Sequence, residues 1–128
     1  KDYHKHQEYI DESRTIEYIS MLNQKGYLWG YYVNDTFVGA FAYMIAQPWW
    51  YSKDILFEEF VLRFDTKDKS SVGLGRVAVQ SFDIIAEKLE LPIINSGNLI
   101  APTDNKTSNL YMKKAKFDVE RRAFMKFV

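Results

Sequence analysis

Hydrophobic residues near the start of the chain recur at the spacing of a helix. Ile16, Ile19 and Leu22 form the apolar stripe, with Tyr18 and Met21 beside it. Ser13 is suited to accept a hydrogen bond from the first turn as the N-cap, and Gly26 is suited to end the helix. The pattern therefore predicts a helix that begins at Ser13 and ends before Gly26.

The spacing then changes to that of extended strands. Tyr27–Val33 and Thr36–Ala46 are rich in aromatic and apolar residues, and Asn34-Asp35 between them is typical of a tight turn. These two runs predict an antiparallel pair of strands. Gln47-Pro48 ends the second run, and Ile55–Phe64 is the third predicted strand.

A helical pattern returns after a charged loop and a pair of glycines. Apolar residues lie at helical spacing from Gly75 to about Leu89, and Ile93 to about Leu99 is typical of another short strand. A strand, a helix of this length and a second strand predict a parallel pair with a right-handed connection. We expect a last helix from about Lys106 to Lys116 and a final strand from Val119 to Val128.

The stretch Ser70-Ser71-Val72-Gly73-Leu74-Gly75-Arg76 lies where the third strand gives way to the helix. Because glycine has no Cβ, backbone N–H groups in such a stretch can approach a ligand closely. The helix that follows adds its own unpaired N–H groups and the positive end of its dipole. The combination suits a phosphate or pyrophosphate. A plain turn is the alternative, since glycine pairs also occur without a ligand.

Two adjacent glutamates interrupt the third predicted strand. Strict alternation puts Phe57, Glu59 and Val61 on one face, and Leu56, Glu58, Phe60 and Leu62 on the other. Whichever face packs under helices, one carboxylate lies among apolar groups, which raises its pKa and suits it to proton transfer near neutral pH. The alternative is an ordinary glutamate at a wet strand edge, or one paired with Arg63 or a lysine.

Three large aromatic residues, Trp49, Trp50 and Tyr51, follow one another in the loop after the second strand. Three adjacent side chains of this size cannot all point inward, so at least one is expected to be exposed or to cover a ligand. The alternative is a loop that folds back on the core.

Composition excludes several functional classes. With 128 residues, 47% of them hydrophobic, the chain is expected to fold as one domain with a real core. A formal net charge of zero provides no field for nucleic acid or an anionic membrane. Without cysteine there is no disulfide framework or thiolate nucleophile. We expect no metal site, because His4 and His6 lack nearby residues to complete a ligand set.

From about Ser13 to Val128 the chain resembles the GCN5-related N-acetyltransferase (GNAT) superfamily. In that family a Q/R-x-x-G-x-G/A motif opens a helix, and Ser70 to Gly75 supplies both glycines in register. A second family pattern, N-x-x-A-x-x-L-Y-x-x-x-G-F, is approximated by Asn105, Ser108, Tyr111, Met112, Lys116 and Phe117. The resemblance implies an α/β (α+β) fold with a mixed, mostly antiparallel sheet, helices on both faces, and one parallel strand pair around the glycine turn.

The resemblance also implies roles for individual residues. The acyl-CoA site would comprise the backbone of Phe60, Val61 and Leu62, the turn residues Ser71, Val72, Gly73, Leu74, Gly75 and Arg76, and Asn105. Glu59 is the candidate base with Glu58 in reserve, Tyr111 is the candidate acid, and Trp49, Trp50 and Tyr51 would flank the acceptor. The chain departs from the family at Ser70, which replaces Gln or Arg, at Met112, which stands at the tyrosine position, and at Lys116, which stands at the glycine position.

We therefore expect residues 1–128 to form a single acyl-CoA-binding domain, whose N-terminal part lacks a clear first strand. The expected function is transfer of an acetyl or other acyl group from acetyl-CoA, as co-substrate, to a primary amine by direct attack. The expected partner is a small-molecule or peptide amine, without nucleic acid or membrane; a homodimer is compatible, and the expected compartment is the cytoplasm. The alternative is a catalytically inactive GNAT-fold binding or structural module, like some proteins of this fold encoded by viruses of bacteria.

Overall fold

The computed structural model describes residues 11–64, 73–96, 112–113 and 116–118. Its elements are α1 (Glu12–Gln24), β1 (Leu28–Val33), β2 (Thr36–Ala46), β3 (Ile55–Arg63), α2 (Leu74–Lys88) and β4 (Ile94–Asn95). The helix, hairpin, third strand and crossover helix predicted from the sequence are confirmed. His4, His6, the final strand and most of the predicted last helix lie outside the described residues.

Helix α1 begins earlier than predicted. Asp11 rather than Ser13 is the N-cap: its backbone is extended, and its Oδ1 accepts a hydrogen bond from the N–H of Arg14 at 3.0 Å. A carboxylate also interacts favourably with the positive end of the helix dipole, which a serine hydroxyl does less well. Gly26 follows the helix with φ 76°, so the predicted end of the helix is confirmed.

Asp11→Ala is expected to lower the free energy of unfolding by about 1 kcal/mol, because the N–H of Arg14 loses its acceptor. Ser13→Ala is the matched control in the same exposed turn, with an expected change below about 0.5 kcal/mol. Urea denaturation of the two variants and the parent measures both values. Equal losses from the two substitutions would contradict the assignment of the cap.

The four strands form one sheet in the order β1-β2-β3-β4. Strand β2 is antiparallel to both of its neighbours, and β3 is parallel to β4. The β1–β2 turn consists of Asn34 and Asp35, whose φ values of 49° and 65° are those required by a two-residue hairpin turn. The predicted mixed, mostly antiparallel sheet is confirmed.

Helix α2 covers one face of the sheet and supplies the centre of the core. Phe82 is fully buried and meets the rings of Phe41 and Tyr43 edge-on, at centroid distances of 5.7 and 6.3 Å. Leu56, Leu74 and Ala78 complete this cluster. The core therefore holds α2 against β2 and β3.

Helix α1 lies on the opposite face. Strand alternation turns Ala40 and Ala42 away from Phe41 and Tyr43, yet both alanines are buried. Helix α1 contacts β1 and β2, and its Leu22 is fully buried. Helices thus cover both faces of the sheet, as predicted.

Two kinds of feature do not occur in the described ranges. Neither helix there is both long and apolar enough to cross a bilayer. Within the same part of the chain, no three His, Asp or Glu side chains lie close enough together to hold a metal ion.

Candidate active site

The candidate site is a fork between β3 and β4. The two parallel strands pair only at Leu56 with Ile94 and at Phe57 with Asn95. Beyond these pairs β3 continues to Arg63, whereas β4 ends at Asn95 in the part of the chain that the structure describes. The edge of β3 at residues 60–62 therefore has no described β4 neighbour, and an extended ligand can hydrogen-bond to its backbone there.

A β-bulge at Glu59 distorts β3 at this fork. Glu58 pairs with Tyr43 and Phe60 pairs with Ala42, so Glu59 is an extra residue between two consecutive partners on β2. A bulge bends the strand, increases its twist and re-aims its backbone and side chains, and bulges are frequent beside active sites. The fork and the bulge coincide at the two glutamates.

The bulge overturns the strict alternation predicted for β3. Strand pairing puts Leu56, Glu58 and Val61 on the α2 face, and Phe57, Phe60 and Leu62 on the α1 face. The predictions that Glu59 shares a face with Val61, and Glu58 with Phe60 and Leu62, were wrong. An extra residue moves every later side chain to the opposite face, and the sequence pattern alone carries no marker of that residue.

Tyr18 of α1 forms a side-chain hydrogen bond with Glu59. The phenol hydroxyl donates to the carboxylate, which places Glu59 on the α1 side of the sheet. Burial of the phenol, this hydrogen bond and the negative charge of Glu59 raise the pKa of Tyr18 to about 12. Glu59 is thus held by α1 at the fork, while Glu58 lies on the opposite face.

Tyr18→Phe is expected to lower the free energy of unfolding near pH 8 by about 0.5–1.5 kcal/mol, because the hydrogen bond is lost. The raised pKa means that the folded protein favours the protonated phenol. Its stabilising contribution is therefore complete below pH 10 and is lost as the pH rises towards 12. The side chain is 40% exposed, so solvent screening keeps the electrostatic part small.

The difference in stability between Tyr18→Phe and the parent should therefore shrink from pH 10 upward. Urea denaturation at a series of alkaline pH values measures it, with Tyr32→Phe on β1, where the ring is exposed, as the matched control. A difference that stays constant with pH would contradict the coupling between Tyr18 and Glu59.

The glycine turn opens helix α2 with backbone amides that no described side chain caps. Gly73 is the N-cap with φ 97°, a left-handed conformation that glycine adopts without strain, and it makes no side-chain capping bond. The first amide in a described backbone hydrogen bond is that of Val77, which donates to the Gly73 carbonyl at 3.0 Å. The first turn holds no acidic residue, and Arg76 is exposed there. This helix end is electrostatically suited to an anion.

Gly39 fixes where α2 begins relative to the fork. It pairs with Arg63 at the end of β3, and a Cβ at this position would lie 2.5 Å from Cδ2 of Leu74 and 2.6 Å from the carbonyl oxygen of Leu62. The first residue of α2 thus packs beside the carboxyl end of β3. Glu59 lies about 13 Å back along the strand, at about 3.3 Å per residue. The edge of β3 in the fork runs from Glu59 to the start of α2.

The aromatic loop lies at the other end of β3. Ala46 pairs with Ile55, so this loop connects β2 and β3 at the amino end of β3. Trp49 is 96% exposed and Trp50 is 50% exposed, as the sequence predicted for at least one of them. A shallow hollow on this loop is lined by residues 47–52. No described residue of β3 lines it, so the hollow does not include the two glutamates.

The second predicted motif is described only in part. Met112, at the tyrosine position of the family pattern, is half-buried. Lys116, at the glycine position, has φ 58°, the left-handed conformation that explains why glycine is usual there. Ser71, Val72, Asn105 and Tyr111 lie outside the described residues, and their roles stay predictions.

Sequence reasoning assigned no role at the site to Tyr18, Gly39 and Ser96. The hydroxyl of Tyr18 becomes relevant only once α1 packs on the sheet. Gly39 did carry a signal, because an isolated glycine in a strand often marks close approach of another chain segment. Ser96 directly follows β4 in an unusually polar run, and its buried hydroxyl oxygen has no hydrogen-bond partner among the described residues.

Two solved structures that are similar to this chain are acetyltransferases by name. The aminoglycoside antibiotic 6′-N-acetyltransferase AAC(6′)-IG from Acinetobacter haemolyticus is similar with a TM-score of 0.60 and 14% identity, over 94% of this chain and 84% of that chain. AAC(6′)-Iy, in complex with the bisubstrate analogue CoA-S-monomethyl-acetylneamine, gives 0.66 and 12%, over 94% and 82%. No protein-family model and no curated protein matches the chain. The structural likeness confirms the predicted GNAT fold.

Proposed function

We propose that this protein is an acyltransferase that moves an acetyl group from acetyl-CoA to a primary amine. The observation that carries the proposal is the position of the amino end of α2, which no described side chain caps, beside the carboxyl end of β3 at the open end of the fork. The diphosphate of acetyl-CoA needs the amides at the start of α2, and its thioester needs the fork. The edge of β3 is the extended path between the two. A solved structure with the same fold, AAC(6′)-Iy, is in complex with a CoA bisubstrate analogue.

Backbone groups hold most of the co-substrate in this proposal. The amides of residues 73–76, with Ser71 and Val72 before them, receive the diphosphate, and Arg76 adds a positive charge. The pantetheine arm lies along the edge of β3 at Phe60, Val61 and Leu62 and pairs with it as a further strand would. Asn105 is assigned to the same site by its place in the second motif.

Glu59 is the proposed base. The neutral amine attacks the thioester carbonyl, a C–N bond forms, and the C–S bond breaks with its electron pair on sulfur. The amine proton passes to Glu59, directly or through a water molecule held by it. A backbone N–H of residues 60–62 stabilises the oxyanion. Glu58 is the reserve base, and Tyr111 is the proposed source of a proton for the thiolate.

The acceptor is proposed to be a small-molecule or peptide amine that enters past Trp49, Trp50 and Tyr51. This loop lies at the amino end of β3 and the glycine turn lies at the carboxyl end, so Glu59 is between them. Acceptor and co-substrate would therefore approach from opposite ends of the strand. At 12–14% identity to the aminoglycoside enzymes, we propose a primary amine as acceptor and no particular antibiotic.

Thermal denaturation with and without acetyl-CoA tests the binding step. A ligand at 100 times its Kd stabilises the folded state by about 2.7 kcal/mol, which is readily seen as a rise in Tm. Release of free thiol from acetyl-CoA in the presence of a panel of amines tests the transfer step. If acetyl-CoA does not raise Tm and no amine causes thiol release, the proposal is contradicted.

Met112 favours a second candidate function, an acyl-CoA-binding module without turnover. A thioether cannot donate a proton at the position where the family has a tyrosine. A rise in Tm with acetyl-CoA, without thiol release for any amine, would support this alternative and contradict the first.

A further inference from the structure

Ser96 lies at the apex of the fork, and its side chain is half-buried. It directly follows Asn95, which pairs with Phe57 as the last contact between β4 and β3. The hydroxyl oxygen itself is buried, and no described residue is its hydrogen-bond partner. Native proteins satisfy nearly all such groups, so an exception calls for an explanation, and a ligand that supplies the partner is one.

The position of Ser96 puts it beside the reacting end of the proposed co-substrate. Continued in register, the pairing of Leu56 with Ile94 and Phe57 with Asn95 would put Ser96 next to Glu58. Ser96 is two residues after Ile94, so strand alternation assigns it to the same α2 face. Glu59 follows on β3 with its side chain on the α1 side. The proposed base and the hydroxyl thus flank the fork from opposite faces.

Three groups at the reaction centre need a partner, and in the proposed function described residues supply a partner to two of them. The amine proton goes to Glu59, and the oxyanion accepts a hydrogen bond from a backbone N–H of residues 60–62. The sulfur, on which negative charge develops, has no donor at the usual position, because Met112 stands there. The unpartnered hydroxyl of Ser96 is a donor of the kind the sulfur needs.

We infer that Ser96 donates a hydrogen bond to the sulfur of coenzyme A as the thiolate leaves. This inference rests on the proposed function. The C–S bond breaks with both electrons on sulfur, the Ser96 O–H stabilises that charge without giving up its proton, and the thiolate takes a proton afterwards from Tyr111 or water. The thiol of coenzyme A is a far stronger acid than a serine hydroxyl. The thiolate therefore accepts a hydrogen bond from Ser96 without taking its proton.

Ser96→Ala tests the inference through the bound thiol itself. The pKa of the thiol of coenzyme A bound to the protein, followed by thiolate absorbance, is expected to be about one unit higher in the variant than in the parent. For acetyl transfer, kcat is expected to fall by about 10-fold, with little change in the KM for acetyl-CoA. Ser81→Ala is the matched control, because that hydroxyl bonds within α2 to the Val77 carbonyl at 2.8 Å.

The unliganded protein distinguishes this role from a structural one. Removing a buried hydroxyl that has no partner leaves Tm unchanged or raises it, whereas loss of a structural hydrogen bond would lower Tm. An equal thiol pKa in the parent and in Ser96→Ala, or a lower Tm of the unliganded variant, overturns the role of Ser96 and leaves the proposed function intact. Failure of the parent to bind coenzyme A overturns both.

Discussion

Glu59→Gln lowers kcat for acyl transfer by about 10²- to 10⁴-fold if Glu59 is the base, the range that a positioned general base contributes. The substitution removes the proton acceptor but keeps an amide oxygen that can still accept the hydrogen bond from Tyr18. The rise in Tm caused by acetyl-CoA should therefore stay in place. Thiol release under saturating co-substrate and amine measures kcat, and thermal denaturation measures binding.

Glu58→Gln is the matched control, because it makes the same change at the neighbouring residue on the opposite face of β3. We expect a much smaller loss of kcat from it. Full activity of Glu59→Gln would remove Glu59 from its role, and a large loss from Glu58→Gln alone would transfer the role to Glu58.

Gly39→Ala is the second large effect that we expect, this time on stability. A Cβ there would lie 2.6 Å from the Leu62 carbonyl oxygen and 2.5 Å from Cδ2 of Leu74, so the strand and the start of α2 must move apart. Overpacking of this kind costs about 1–3 kcal/mol, or on the order of 5–10 °C in Tm. Because Leu74 is the first residue of α2, next to Gly73 in the glycine turn, acetyl-CoA affinity should fall as well. Thermal denaturation with and without acetyl-CoA measures both effects.

Gly30→Ala provides the comparison for Gly39→Ala. In β1 the added Cβ would meet only the rings of Tyr32 and Phe37, at 2.9 and 3.1 Å, and both rings are exposed enough to move. We expect a loss of stability clearly smaller than at Gly39. Equal losses of stability from the two substitutions would contradict the claim that Gly39 makes room for the backbone of β3 and the start of α2.

The elements were largely predictable because their patterns are local. The hairpin follows from Asn34-Asp35 between two apolar runs, and α2 follows from the apolar spacing after Gly73. The N-cap of α1 was not predicted correctly, because Asp11 and Ser13 are both good capping residues and only their geometry separates them. The exact position of a helix end depends on a single capping hydrogen bond, whereas the presence of the helix depends on many residues.

The site was predictable only where chemistry shows in the residue types. Gly73 is a residue type typical of a left-handed turn, which the structure has there, and the two glutamates interrupt an apolar run. The bulge at Glu59 did not show, because it arises from how β3 pairs with β2 and leaves no trace in strand composition. The hydrogen bond from Tyr18 joins residues 41 positions apart in the chain, so it depends on tertiary packing.

A titration of the isotope-labelled protein with coenzyme A, followed by backbone amide NMR, tests the central claim most directly. The claim is that the fork between β3 and β4 holds the pantetheine arm while the start of α2 holds the diphosphate. We predict that the largest shifts of amide resonances fall on residues 73–76 and 58–62, and that residues of the β1–β2 turn stay unchanged. Saturable shifts confined to other parts of the chain, or none at all, would contradict it.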